Sequence, residues 1–149
     1  AAAAAAAAVL VGLAPHEPAW AISGGGKDYA EQDVRGMDFE KGKLDEKDFS
    51  GADAAGVRFA SASCRGARFY KANLREAVFD GADLSAASLE GASLAGASFK
   101  GAVLEGTYLS QGVKEAGVIT GADFTDALMR EDVQAALCRR EDATGVNPK

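Results

Sequence analysis

The sequence predicts an all-β solenoid, a four-sided coil that turns once every twenty residues. Two nested periods and the placement of glycine predict it. Every fifth residue from Val34 to Met129 falls in one register, and all but Lys114 are apolar. The residue two before each centre is usually small, as at Ala52, Ala62, Ala72 and Ala82. A period of five fits neither a helix nor a flat strand. Each unit instead points one large and one small side chain inward and three residues outward, with a corner between units. Four corners close a square, so the pattern should recur every twenty residues, and it does. Phe39, Phe59, Phe79 and Phe99 form one column that Ile119 continues. Leu44, Cys64, Leu84, Leu104 and Phe124 form a second, and Phe49, Phe69, Leu89, Leu109 and Met129 a third. Val34, Ala54, Leu74, Leu94 and Lys114 form the fourth and weakest. Gly51, Gly66, Gly81, Gly91, Gly96, Gly101 and Gly106 recur between units. Each would cost up to about 1 kcal/mol inside a helix. With rows about 4.8 Å apart, about five coils make a rod roughly 24 Å long.

Residues 1–21 stand outside the repeats. Ala1 to Leu13 is an uninterrupted small-apolar run, followed by Ala14-Pro15-His16-Glu17-Pro18 and Ala19-Trp20-Ala21. An apolar core, a helix-breaking stretch and an A-x-A site read as a signal segment for export. The run is too short to span a bilayer comfortably. A low-complexity linker or a misassigned polyalanine stretch is the alternative. The sequence opens without Met or a charged region, so a true N-terminus upstream, with a transit peptide, is expected.

Residues 22–33 are a polar lead-in containing Ser23-Gly24-Gly25-Gly26. Its Gly26-Lys27 pair is not a phosphate loop, because Ala21 replaces the first glycine and Asp28 follows the lysine. Residues 34–129 are the repeats, with an irregular stretch expected near 110–118. An inward Lys114 would bury a charge at a cost of several kcal/mol, so the backbone should bulge there and turn it out. Residues 130–149 are read as a C-terminal helical cap and tail, the helix running from Arg130 to Arg140. Met129, Val133, Ala136 and Leu137 share a helical face. Asp126 is placed to cap the start, Glu131 and Asp132 fall in the first turn, and Arg139 and Arg140 in the last. Such a helix would cover the last coil, whose unpaired edge is an aggregation hazard.

The units Ala72-Asn73-Leu74-Arg75-Glu76, Ala82-Asp83-Leu84-Ser85-Ala86 and Ala122-Asp123-Phe124-Thr125-Asp126 resemble the A-(D/N)-L-x-x signature of pentapeptide-repeat proteins. The resemblance covers about two-thirds of the chain. It implies a right-handed quadrilateral β-helix. The run Leu137-Cys138, followed by Gly145-Val146-Asn147-Pro148, resembles the C-terminal cap of thylakoid-lumenal and cyanobacterial members. There a second cysteine usually follows, so the resemblance implies a disulfide from Cys138 to a cysteine beyond Lys149. With the A-x-A signal, it implies a chloroplast thylakoid lumen address, or an equivalent exported periplasmic compartment. It also implies a non-enzymatic interaction or scaffold role with an unidentified protein partner. A fixed lumenal subunit of a photosynthetic membrane complex is the second reading. DNA mimicry toward a topoisomerase, known for some relatives, is the third and needs an acidic, usually dimeric rod.

The residues themselves point away from catalysis. The one histidine, His16, lies in the signal segment, so a Ser or Cys nucleophile has no imidazole base. No cofactor motif is present, and two distant cysteines without a mature His make no zinc set. The formal net charge of -6 argues against nucleic-acid binding, which needs a basic footprint. No membrane span is expected in the mature chain. Cys64, at a repeat centre, reads as a small buried hydrophobe. The candidate contact surface is a basic girdle of Arg58, Arg65, Arg68, Lys71 and Arg75, all at outward positions within about one coil. Below it lies an acidic end with Asp33, Asp38, Glu40, Asp45, Glu46, Asp48 and Asp53. Above it, Ser85 to Ser98 carries Glu90 as its one charge. The alternative reading of the girdle is charge pairing between coils on a solvated face.

Overall fold

The computed structural model describes residues 28–143. The signal segment, the glycine run of the lead-in and the tail after Ala143 lie outside the described residues. Within them the chain is a solenoid. Parallel bridges join residues twenty apart, from Asp33–Asp53 through Asp48–Arg68 and Arg68–Ser88 to Tyr108–Leu128. At most repeat centres the N–H donates up one coil, as from Phe39 to the Arg58 carbonyl at 3.0 Å. The N–H before a centre donates down one coil, as from Asp53 to the Gln32 carbonyl at 2.9 Å. The alternation leaves few backbone groups unpaired along the rod, as burial demands.

Each corner is a β-turn. The third residue after a centre donates back to the centre's carbonyl, as from Ala82 to Phe79 at 2.9 Å. The second residue after the centre takes positive φ, +66° at Gly81, which is the type II requirement. Glycine recurs in this sequence for that reason. Eight corners manage without it, Ala86 among them at φ +57°.

We number the faces by their inward columns: face 1 from Phe39, face 2 from Leu44, face 3 from Phe49 and face 4 from Val34. Faces 1 and 3 oppose each other across the core. On face 1, Phe39, Phe59, Phe79 and Phe99 stack nearly parallel, with centroids 5.0, 4.8 and 5.2 Å apart. Opposed rings of faces 1 and 3 meet edge to face, as Phe59 and Phe69 do at 5.6 Å. Rings in both arrangements add about 0.5–1.5 kcal/mol per pair beyond burial. The column also begins earlier than its sequence register. Tyr29 is buried and stacks on Phe49 at 4.6 Å, one coil below it. Burial, and then neighbouring Asp28, pushes its hydroxyl up to about 12. Lys47 occupies a spacer position beside it and pairs with Asp28 at 3.1 Å.

The regular coil stops after Leu109. Gln111–Glu115 is a short 3-10 helix, with Val113 buried in the inward place and Lys114 turned out to solvent. Its backbone lies close to the coil beneath: a Cβ on Gly112 would sit 2.4 Å from the Ala92 carbonyl oxygen. The coil resumes at Val118, which bridges to Ser98.

Helix α1 spans Glu131–Cys138 and buries Val133 and Leu137 in the same apolar cluster as the coils. It is shorter than Arg130 to Arg140. Asp126 does not cap it. That residue occupies a corner at φ +53°, and Arg130 holds the N-cap position without a side-chain hydrogen bond. Arg139 is the C-cap, so neither Arg139 nor Arg140 lies in the last turn.

Candidate interaction surface

The polar residue of the repeat signature has a defined task. The Asp or Asn before a centre accepts a hydrogen bond from the backbone N–H just after it. Asp83 receives Ser85 at 3.0 Å and Asp123 receives Thr125 at 2.9 Å. The Thr125 contacts hold the Asp123 carboxyl below the usual carboxylate range. At two places where serine replaces that Asp, the coil beneath supplies a carboxylate. Asp45 accepts from the Ser63 hydroxyl at 2.6 Å and from the Arg65 N–H at 3.0 Å. Asp80 serves Ser98 and Lys100 in the same way. Much of the surface acid is therefore structural.

The same holds for part of the basic girdle. Its five residues are all exposed, but they ring the rod instead of sharing one face. Arg58, on face 1, pairs with Glu40. Arg65, at the corner after face 2, lies 3.8 Å from Asp83. Arg68, on face 3, reaches Asp48 only at 4.0 Å. Lys71 lies over the Tyr70 ring at 5.0 Å. No ion pair of Lys71 or Arg75 occurs among the described residues.

The structure brings forward a feature the charge pattern hides. The outward column of face 3 reads Asp48, Arg68, Ser88, Tyr108, Leu128, each bridged to the next. Tyr108 is 52% exposed and Leu128 50%. Tyr70, at the adjoining corner, is also exposed. Of the large apolar residues exposed among the described residues, Val118 alone lies elsewhere. A groove of about 510 Å³ runs beside Tyr108 and Leu128, bounded by Glu90, Gln111 and Arg130. Tyr108 and Leu128 stand twenty apart in the sequence, in an outward column otherwise polar. The spacing that found the inward columns would have found them too.

Helix α1 is tied down at both ends. Asp132 accepts from Gln111 Nε2 at 3.0 Å, which holds its carboxyl below the usual range. Past the helix, Arg140 donates to the carbonyls of Ala116 at 2.6 Å and Gly117 at 3.1 Å. It also pairs with Asp142, which accepts the Ile119 N–H at 2.9 Å. Cys138 is exposed at the end of α1, with no disulfide among the described residues. Cys64 is fully buried, and burial pushes its thiol well above the usual value, so it packs and does not react. Among the described residues no His, Cys, Asp and Glu cluster could hold a metal ion. None of their helices is long and apolar enough to cross a membrane.

The chain matches the family model for pentapeptide repeats over residues 48–85 and 77–111. It is 35% identical to a crystal structure of a pentapeptide repeat protein from the Arabidopsis thaliana thylakoid lumen. That match covers 80% of this chain and 81% of the other, with a TM-score of 0.73. The chain belongs to the pentapeptide-repeat family. The family's right-handed β-helix accounts for the twenty-residue bridges and the type II corners. Two further solved structures are similar in fold alone. One is a pentapeptide repeat protein from the cyanobacterium Cyanothece, at 23% identity and a TM-score of 0.42, covering 76% of this chain and 60% of that one. The other is QnrB1, a plasmid-mediated fluoroquinolone resistance protein, at 20% identity and a TM-score of 0.34, covering 76% and 68%. No curated protein matches the chain.

Proposed function

We propose that this pentapeptide-repeat protein is a non-enzymatic interaction or scaffold protein of the thylakoid lumen. The observation that carries the reading is its 35% identity, over most of both chains, to a lumenal protein of the same fold. The surface is consistent with it. A rod with fixed columns presents side chains at set spacings without ordering cost, which favours docking of a protein partner. On this reading helix α1 is the cap of the last coil, and Cys138 is placed to bond a cysteine beyond Lys149. DNA mimicry is disfavoured, because a ring of five basic residues interrupts the acidic surface.

The test is import of the labelled precursor into isolated chloroplasts. The product should be cut near Ala21, survive protease added to intact thylakoids and be digested once they are lysed. Native gels of the same thylakoids should show it in complexes larger than the monomer. A product that stays in the stroma, or that runs only as a monomer, contradicts the proposal. If Cys138 alkylates freely without reductant in protein from that fraction, the disulfide is wrong.

A further inference from the structure

We propose that face 3 docks a protein segment bearing carboxylates at one end and apolar side chains at the other, about 10–14 Å along. The inference rests on the interaction reading above and adds the site and the partner's chemistry.

The face is polarised along the rod. Arg68 and Lys71 stand at its lower end, Tyr108 and Leu128 two and three rows higher. With rows about 4.8 Å apart, these ends are separated by about 10 and 14 Å. Ser88 lies between them, small enough for a segment to lie flat across it. The charges are not equally available. Arg130, beside the apolar end, is engaged by Asp132 at 3.1 Å. The Arg68 side chain is 68% exposed and only loosely held by Asp48, and Lys71 has no carboxylate partner among the described residues. The Arg130 side chain is itself 76% exposed, so what sets the lower end apart is its weaker ion pairing. Glu90 borders the apolar groove from the Ser88 row, one row below Tyr108, with no ion pair among the described residues. The direction of the occupant is fixed by Arg68 and Lys71 at one end and by Tyr108 and Leu128 at the other.

A helix spans the distance in about seven to nine residues at 1.5 Å each. The complement is an amphipathic segment with acids in its first turn and apolar anchors two to three turns on. An anionic bilayer is a poorer match, since Asp48 and Glu90 on the same face oppose its headgroups.

The test uses the full chain and three synthetic helical peptides. One carries Glu-Glu at the start and Leu and Phe at positions nine and twelve; one has that order reversed; one has Lys-Lys for Glu-Glu. Backbone amide shifts should move at Arg68 to Lys71, Tyr108 to Ser110 and Leu128 to Arg130. The first peptide should bind at least tenfold tighter than the other two. Tyr108→Ser, an exposed change, should remove that binding while the circular dichroism and melt stay unchanged. Arg68→Glu should turn the preference toward the lysine peptide. Equal binding of the three peptides overturns the proposal, as do shifts on other faces. Binding to phosphatidylglycerol vesicles in place of the peptides overturns it, and so does self-association that occupies these amides. A photocrosslinker at Ser88 on face 3, or at Ser98 on face 1, separates the two levels of claim in thylakoids. Adducts from Ser98 alone sink face 3 and leave the interaction reading standing. Adducts from neither position sink the interaction reading itself.

Discussion

The coils from Phe39 to Phe99 and the segment from Ser110 to Ala143 bury one continuous core by opposite means. The coils do it by repetition. Each row places the same kind of side chain above its predecessor, so stacked rings and bridged backbones recur every twenty residues. The C-terminal segment does it by individual contacts: an inward Val113, a carbonyl clasp by Arg140, a carboxylate at Ile119. Glycine shows the contrast. Gly101 has nothing near its absent Cβ and is favoured by φ +64°. Gly112 has no such angle but meets a carbonyl oxygen. One is a demand of the turn, the other a demand of space. Repetition makes stability additive along the rod; individual contacts make it local.

The largest break should come from the repeating half. Phe79→Ala removes a ring stacked on both sides and should cost about 3–5 kcal/mol. Chemical denaturation should show it, and an unchanged midpoint would undo the stacked core. Next, Gly112→Ala should cost about 1–3 kcal/mol, because the backbone must move off Ala92. Gly101→Ala should differ in kind, with its strain in the turn and no steric clash. Crystal structures of the two variants would show a displaced 110–115 backbone in the first alone.

Ala86→Gly sharpens the comparison in the other direction. It relieves an L-residue from left-handed φ at some entropic cost, for a net gain of about 0.5–1 kcal/mol. A lowered melting temperature would contradict the turn assignment. The smallest effect is on pH. The Arg140 contacts hold the Asp142 carboxyl below the usual carboxylate range. The stability it lends is present above the unfolded value near pH 4 and lost as pH falls through the lower folded value. Acid should therefore loosen the C-terminal segment below about pH 4. Asp142→Asn should loosen it slightly at neutral pH and flatten its acid response, read from the amide exchange of Ile119.

The repeating half was largely legible in the sequence, because twenty-residue columns are arithmetic on residue type. Phe39, Phe59, Phe79 and Phe99 stack as their spacing requires. Tyr29 escaped because its flanking charges resemble a lead-in, although Phe49 and Phe69 continue its column. The latched half was legible only in outline. Lys114 in an inward register signals a break, yet nothing local says that Val113 takes its place. Asp126 looks like a helix cap, but the corner geometry claims it first. Arg140 meets Ala116 across 24 positions of sequence, a pairing that no local pattern encodes. Face 3 is legible in the twenty-residue spacing of Tyr108 and Leu128, but the charge density of Arg58–Arg75 is the stronger local signal.

The contrast between additive coils and a latched end is tested most directly by native-state hydrogen exchange, on the unaltered protein and on Arg140→Ala. Phe59 and Phe79 amides, bonded to Val78 and Ser98 at 2.7 Å, should exchange together only through global unfolding. Ile119 and Val133 amides should exchange through a smaller opening. Arg140→Ala should speed the second pair by at least tenfold and leave the first unchanged. If both pairs open with the same free energy, or if Arg140→Ala speeds Phe79 as much as Ile119, the two halves are one cooperative unit and the account is wrong.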